Sequence, residues 1–296
     1  MILVIGEILI DCFADYERIG GAPFNFASHI KQMGWPVRFL TRIGDDAYGR
    51  QILQRLEDGG FQREDVQVDS HQPTGVVEVA LDNRGVPQFE IRKDVAYDYL
   101  DLSQIPGIDL SAVQLIYFGT LAQRTSRGCR QVQALLGHIN PTTCCFCDIN
   151  LRPPHINPEA IQSSLRHSDI LKLNTEELIH ISAMYSGPQD EPEAVEWLMQ
   201  TYGISQVVLT LGAQGSKAIT AGQTITSPPV KIETIVDTVG AGDAYAAVYA
   251  AGHLKGLPIQ RILELAADFA ARVCGLPGAV PSDMAPYQIL RQKLAP

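Results

Sequence analysis

The segment Asp237-Thr238-Val239-Gly240-Ala241-Gly242-Asp243 holds the residue types with the clearest chemical use, and it runs straight into the small-residue stretch Ala244 to Ala251. Two glycines around one alanine allow a tight turn that aims successive backbone amides at one place. Such amides at the head of a helix, with the helix dipole behind them, favour an anion. A carboxylate at that spot would repel a bound phosphate if binding were its whole task. Asp243 makes sense as a base that takes a proton from a hydroxyl. The amides of Gly240, Ala241, Gly242 and Asp243 would meanwhile stabilise a transferring phosphoryl group. The bland alternative is a helix N-cap after a turn.

Competing glycine motifs fit less well. A dinucleotide turn reads G-x-G-x-x-G/A after the first strand, with an acidic residue about 20 positions on. Gly240 and Gly242 lie far down the chain, and the acid nearest that distance, Glu264, falls in a helical stretch. No G-K-[ST] follows the glycines, so the Walker A pattern is missing. A nicotinamide-dependent oxidoreductase shares the α/β rhythm described next but has no glycine fingerprint here to bind its cofactor.

The elements that must position these residues follow from apolar periodicity. Strands are predicted at 3–5, 37–43, 74–81, 86–91, 115–118, 143–148, 170–173 and 207–211. Helices are predicted at 22–33, 48–58, 126–138, 158–166, 175–184 and 190–202. Alternation of this kind argues for a mostly parallel sheet covered by helices on both faces, with the site at the carboxyl ends of the strands. Polar clusters fall at those ends: Asp148 to Arg152, Asn174 to Glu177, and Thr210 to Gly212. The runs at 74–81 and 86–91, joined by the turn Asp82-Asn83-Arg84-Gly85, read instead as an antiparallel hairpin, a flap or an oligomer contact.

Acidic residues outnumber basic ones 33 to 23, for a formal charge of −10. That field repels nucleic acid and anionic membranes, and no basic run overcomes it. No segment approaches the ~18 uninterrupted apolar residues of a membrane span, and the amino terminus lacks the basic region of a signal peptide. A cytoplasmic protein is expected. Of six cysteines, Cys144, Cys145 and Cys147 are too tightly spaced for paired C-x2-C zinc hooks. They read as small hydrophobes in a reduced strand.

Asp237 to Asp243 resembles the D-T-x-G-A-G-D signature of the ribokinase (PfkB) family of carbohydrate kinases. Four further segments resemble that family in the expected order. Gly20 to Ala27 is similar to its amino-terminal glycine signature, in the G-G-A-P-x-N form of fructokinases. Gly6-Glu7 and Asp11 resemble its opening strand and sugar-binding aspartate. Asn174-x-x-Glu177 resembles its N-x-x-E motif, and Gly278 to Ser282 its G-A-x-P-S tail. The resemblance implies a ribokinase-like three-layer α/β/α sandwich, one domain over 1–296, with a small β lid from 9–22 and 74–98.

The resemblance also implies roles. Asp243 becomes the catalytic base, and Gly240, Ala241 and Gly242 the anion hole. Glu177 helps place Mg2+ through water, with Asn174 beside ATP. Taken alone, the same pair reads as a capping box. Thr210, Gly212 and Gly215 resemble the nucleotide loop, though by themselves they suit a hairpin turn. Asp237, Ser282 and the carbonyls of Val273, Leu276 and Gly278 would frame a K+ site. Leu276 stands where an arginine is common, a change that a carbonyl ligand survives.

For the sugar, the resemblance points to Asp11, Gly21 and Asn25. Asp148-Ile149-Asn150-Leu151-Arg152 resembles the D-x-N-x-R segment shared by fructokinases and 2-keto-3-deoxygluconate kinases. In the latter the arginine pairs with a carboxylate, which suits a planar fork donor. In the segment 91–98, Tyr97 stands where the resemblance expects an aspartate, with Asp98 just after it, and Arg92 and Lys93 could serve a sugar acid or be solvated strand residues. The expected activity is ATP-dependent phosphorylation of a sugar, fructose first. A sugar acid is the alternative, and a catalytically silent sugar-binding regulator the reading from another class. Pairing of two chains through the lid hairpin is also expected.

Overall fold

A computed structural model describes residues 1–81, 87–103, 107–231, 234–281 and 283–294. Strands in chain order are β1 (Ile2–Ile5), β2 (Leu9–Cys12), β3 (Glu17–Gly20), β4 (Val37–Gly44), β5 (Val66–Asp69), β6 (Gly75–Leu81), β7 (Pro87–Ile91), β8 (Leu115–Phe118), β9 (Cys144–Asp148), β10 (Ile170–Asn174), β11 (Gln206–Thr210), β12 (Ser216–Thr220) and β13 (Gln223–Ser227). The α-helices are α1 (Ala22–Gln32), α2 (Ala47–Asp58), α3 (Ser126–Leu136), α4 (Pro158–His167), α5 (Thr175–Met184), α6 (Glu191–Tyr202), α7 (Ala241–Leu254), α8 (Ile259–Cys274) and α9 (Ala285–Lys293).

Nine strands form the main sheet in the order β13-β12-β11-β10-β9-β8-β1-β4-β5. From β11 to β5 the pairings are parallel, and only β12 and β13 run antiparallel, as a meander at one edge. Alternate residues of each strand face opposite layers, as the two-residue period of a strand requires. Ile2 and Val4 join one core with α1, α2, α7, α8 and α9, while Leu3 and Ile5 join the other with α3 to α6. The result is the α/β/α sandwich expected from the sequence.

A separate four-stranded sheet, in the order β3-β2-β6-β7, caps one end. It rests on a small apolar cluster of Leu9, Val77, Ile91, Val95, Tyr97 and Leu121. The turn at 82–85 lies outside the described residues. No helix among the described residues is long and apolar enough to cross a membrane.

The cysteine-rich strand β9 is buried, and burial pushes the Cys144 and Cys145 thiols up to about 12. Such thiols stay protonated and unreactive at neutral pH.

Candidate active site

A cleft of about 340 Å³ opens between the lid sheet and the carboxyl ends of the central strands, a volume suited to a small molecule. Gly240 caps α7 with φ +81°, and the first helical bond runs from the Ala244 amide to the Gly240 carbonyl at 2.9 Å. Gly242 and Asp243 therefore bring first-turn amides to the cleft without carbonyl partners within the helix. Fully buried Ala244, Ala246, Ala247, Ala250 and Ala251 let α7 pack closely on its neighbours, which fixes that turn against the core.

Asp243 lines the cleft from this first turn. Asn25 of α1 donates to Asp243 Oδ2 at 2.8 Å. Burial raises the Asp243 carboxyl from 3.8 to about 6. The Asn25 bond, Lys172 and Arg152 oppose that rise, and Asp148 adds to it. A carboxylate so tuned can hold a proton near neutral pH. Asn25 itself is positioned by Gly21, which caps α1 with φ +113°; a Cβ there would lie 2.7 Å from the Glu7 carbonyl.

On the lid side Asp11 faces the cleft, and burial raises its carboxyl to about 6 against the pull of Arg18 and Arg152. Glu7, at the end of β1, is 4% exposed and also lines the cleft. Its carboxyl is raised to about 7 by burial, and its Oε2 has no hydrogen-bond partner. Arg152 lies in the same wall, exposed, with no side-chain hydrogen bond or ion pair among the described residues.

At the other end, Asn174 and Glu177 form a capping box on α5, with both bonds at 2.8 Å. Glu177 Oε1 also accepts from the Leu151 amide at 2.8 Å. The bland reading of this pair is thus realised, yet both residues also line the cleft. Each carboxylate oxygen retains a lone pair for a water. Thr210 lines the cleft too, whereas Gly212 and Gly215 form the β11–β12 turn outside its wall. Asp237 does not line the cleft. Its Oδ1 accepts from the Val239 amide at 2.9 Å, and its Oδ2 is taken by Arg18. The Leu276 amide bonds the Val273 carbonyl at 3.0 Å. Ser282 lies outside the described residues.

The cleft thus unites Asp11, Gly21, Asn25, Arg152, Asn174, Glu177, Thr210, Gly240, Gly242 and Asp243. It omits Ala241, Gly212, Gly215, Asp237, Val273, Leu276 and Gly278 from its lining. The segment 91–98 departs from its reading as a sugar contact. Tyr97 is fully buried beneath Gly75, and Asp98 is held by Arg124 at 2.7 Å. Arg92 and Lys93 are exposed outside the lining.

Four charged lining residues carried no site role in the sequence reading: Glu7, Arg18, Asp148 and Lys172. Lys172 had a visible signal, a lone charge inside the apolar run Ile170-Leu171-Lys172-Leu173. Its ammonium reaches Asp148 at 3.0 and 2.8 Å, and Tyr117 donates to the same carboxylate at 3.1 Å.

Comparison with known proteins accords with this geometry. A fructokinase of Rhizobium leguminosarum bv. trifolii is 28% identical over 279 residues, spanning 89% of this chain and 81% of that protein. A 2-dehydro-3-deoxygluconokinase of Thermoproteus tenax is 26% identical over 287 residues, 93% of this chain and 86% of that protein. The solved structure of a double-mutant fructokinase from Vibrio cholerae O395, in fructose, ADP and potassium ion bound form, has a TM-score of 0.82 at 22% identity. It covers 99% of this chain and 98% of that one. The pfkB family carbohydrate kinase pattern matches residues 1–285. The chain belongs to the pfkB family of carbohydrate kinases and is an ATP-dependent sugar kinase.

Proposed function

We propose that this kinase phosphorylates fructose, making fructose 6-phosphate, with Asp243 as the general base. The observation that carries the mechanism is the Asp243 carboxyl at the first turn of α7, bonded by Asn25 and flanked by unpaired amides. The sugar hydroxyl attacks the γ-phosphorus of ATP and its proton passes to Asp243. The bond from phosphorus to the ADP oxygen breaks as the new one forms. The free first-turn amides of Gly242 and Asp243 would receive the charge spread over the phosphoryl oxygens, while the Ala241 amide is engaged by the Thr238 carbonyl at 3.4 Å. A base raised to about 6 is ionised at neutral pH yet basic enough to accept that proton.

Asp11, Asn25 and Glu7 offer short acceptors suited to the hydroxyls of a neutral sugar, and the fructokinase relatives support that choice. A sugar acid is the second reading, favoured by the unpaired guanidinium of Arg152 in the wall. A release assay for ADP, with ATP, Mg2+ and K+, against fructose, 2-keto-3-deoxygluconate and ribose decides between them. Turnover on fructose alone supports the first reading. Turnover on the sugar acid alone reassigns Arg152 as a carboxylate clamp.

Asn174 and Thr210 would flank the nucleotide. Glu177 would hold waters of a Mg2+ ion that neutralises ATP phosphates. That fits a hard cation bound largely by phosphate and water, since no cluster of three or more His, Cys, Asp or Glu is present among the described residues. A monovalent cation at Asp237 would compete with Arg18 for the carboxylate. The chain acts as one kinase domain whose lid, residues 9–22 and 74–98, closes over the sugar. The edge strands β3 and β7 leave the lid sheet open to pairing with a second copy, which sedimentation would detect.

A further inference from the structure

Lys172 is a charged group of the cleft that the proposed roles leave unused. It follows from sheet register. On β8, β9 and β10, Tyr117, Asp148 and Lys172 all face the layer of α1 and α7, because Phe146 and Ile170 on that face belong to the same core as Tyr117. Lys172 and Asp148 are direct partners across the β9–β10 pairing, so their side chains meet.

The pair is deeply enclosed, with side-chain exposures of 9% for Lys172 and 3% for Asp148. Burial alone would strip an ammonium of its proton; Asp148 keeps the charge in place. Among the described residues, the hydrogen bonds of Lys172 go only to Asp148, which leaves one of its three N–H donors uncommitted. A Cβ built on Gly242 would stand 3.6 Å from Lys172 Nζ, so the ammonium abuts the anion-hole turn.

The other cations of the cleft wall are placed differently. Arg18 is bound to Asp237, and Arg152 lies exposed. A polyphosphate entering between the first turn of α7 and the head of α5 therefore meets one buried cation. A compact ammonium with rotatable donors suits a phosphoryl group whose charge moves during transfer.

We propose that Lys172, held charged and in place by Asp148 and Tyr117, is a catalytic residue that donates its free N–H to a phosphoryl oxygen of the nucleotide. This rests on the phosphotransfer reading of the cleft. Lys172 takes no proton and forms no bond to phosphorus.

The test uses Lys172→Met, the double variant Lys172→Met/Asp148→Asn, and Asp243→Asn, all assayed with ATP and the best sugar. Lys172→Met is expected to lower kcat about 10²–10³-fold, the effect of losing one stabilising donor, with sugar KM changed less than about threefold. The double variant removes both charges together and so avoids the cost of an unpaired buried Asp148, and it should be as slow as the single variant.

A second readout is the pH profile of kcat/KM. Asp243 is faced by Asp148, Lys172 and Arg152, with Asn25 as its hydrogen-bond donor and Glu7 and Tyr117 nearby. Loss of the Lys172 charge should move the acid limb to higher pH in Lys172→Met, and neutralising Asp148 as well should move it back. Folded variants with kcat within about threefold of wild type and an unmoved acid limb would overturn the proposal. Full turnover in Asp243→Asn would instead sink the phosphotransfer reading beneath it.

Discussion

Arg18 on the lid strand β3 donates to the carboxylate of Asp237, 219 residues away, in the approach to the glycine turn at Gly240. The same guanidinium lies 4.6 Å over the Phe13 ring and 3.9 Å from Asp11. One side chain thus ties the lid to the body beside the site. Cutting the tie with Arg18→Met should raise sugar KM roughly two- to fivefold, the scale of a partly exposed ion pair. It should also free Asp237, so half-activation by K+ should come at lower concentration than in wild type. An unchanged potassium titration would separate Arg18 from any cation site.

Asp243→Ala should lower kcat by about 10²–10⁴ while leaving ATP binding intact. In the wild-type enzyme, kcat/KM should rise with pH through about 6 and level off above it, because the base must be ionised. Measurement of initial rates from pH 5 to 8 checks this. A flat profile would remove Asp243 from the role of base.

Glu7 offers a prediction in stability instead of rate. Its folded carboxyl is raised from 4.5 to about 7, so its protonated form is the one the fold prefers. That contribution is fully present below about 4.5 and is lost as pH rises through about 7. Glu7→Gln should therefore melt higher than wild type at pH 8 and show no such advantage at pH 4.5. Equal gains at both pH values would point to packing instead of ionisation.

Gly240 is held at φ +81°, and a Cβ there would overlap Ala279. Gly240→Ala should cost about 1–2 kcal/mol through backbone conformation alone, more with the clash. The melting temperature should fall by several degrees and kcat by at least about tenfold as the amides shift. Adding Ala279→Gly removes only the nearest clashing atom, since the Cα of residue 279 would still stand 2.6 Å from the new methyl, so little of the loss should be recovered. Full recovery would place the damage in the Ala279 side chain and not in the backbone.

Most of the body was legible because its strands are short apolar runs between periodic helices. Leu115–Phe118 and the helix Thr175–Met184 coincide with the sequence reading to the residue. Periodicity predicts no strand at β5, β12 or β13, and β2 and β3 enter only through the β lid that the family resemblance implies at 9–22. Glu17-Arg18-Ile19-Gly20 and Gln223-Thr224-Ile225-Thr226-Ser227 are mostly polar, and only their neighbours make them strands.

The site shows the same division. The glycine turn and Asp243 are contiguous, so local chemistry reveals them. The Lys172–Asp148 pair spans 24 residues and exists only through the β9–β10 register. Asp98, next to Tyr97 in the segment 91–98, is held by Arg124, a partner 26 residues away that local sequence does not reveal.

The position of β1 has a consequence for how the molecule assembles. Although made first, it lies inside the sheet between β4 and β8, paired along residues 37–40 and 115–118. The proposed base arrives later still, when α7 brings Asp243 against Asn25. Contacts of such long sequence separation form slowly, after the entropy of closing large loops has been met. During synthesis the nascent chain therefore waits with its opening strand half-flanked until more than a hundred residues have followed, and with its acceptor end lacking its base until more than two hundred have. Chaperone dependence should be concentrated in that interval, when apolar strand edges are bare.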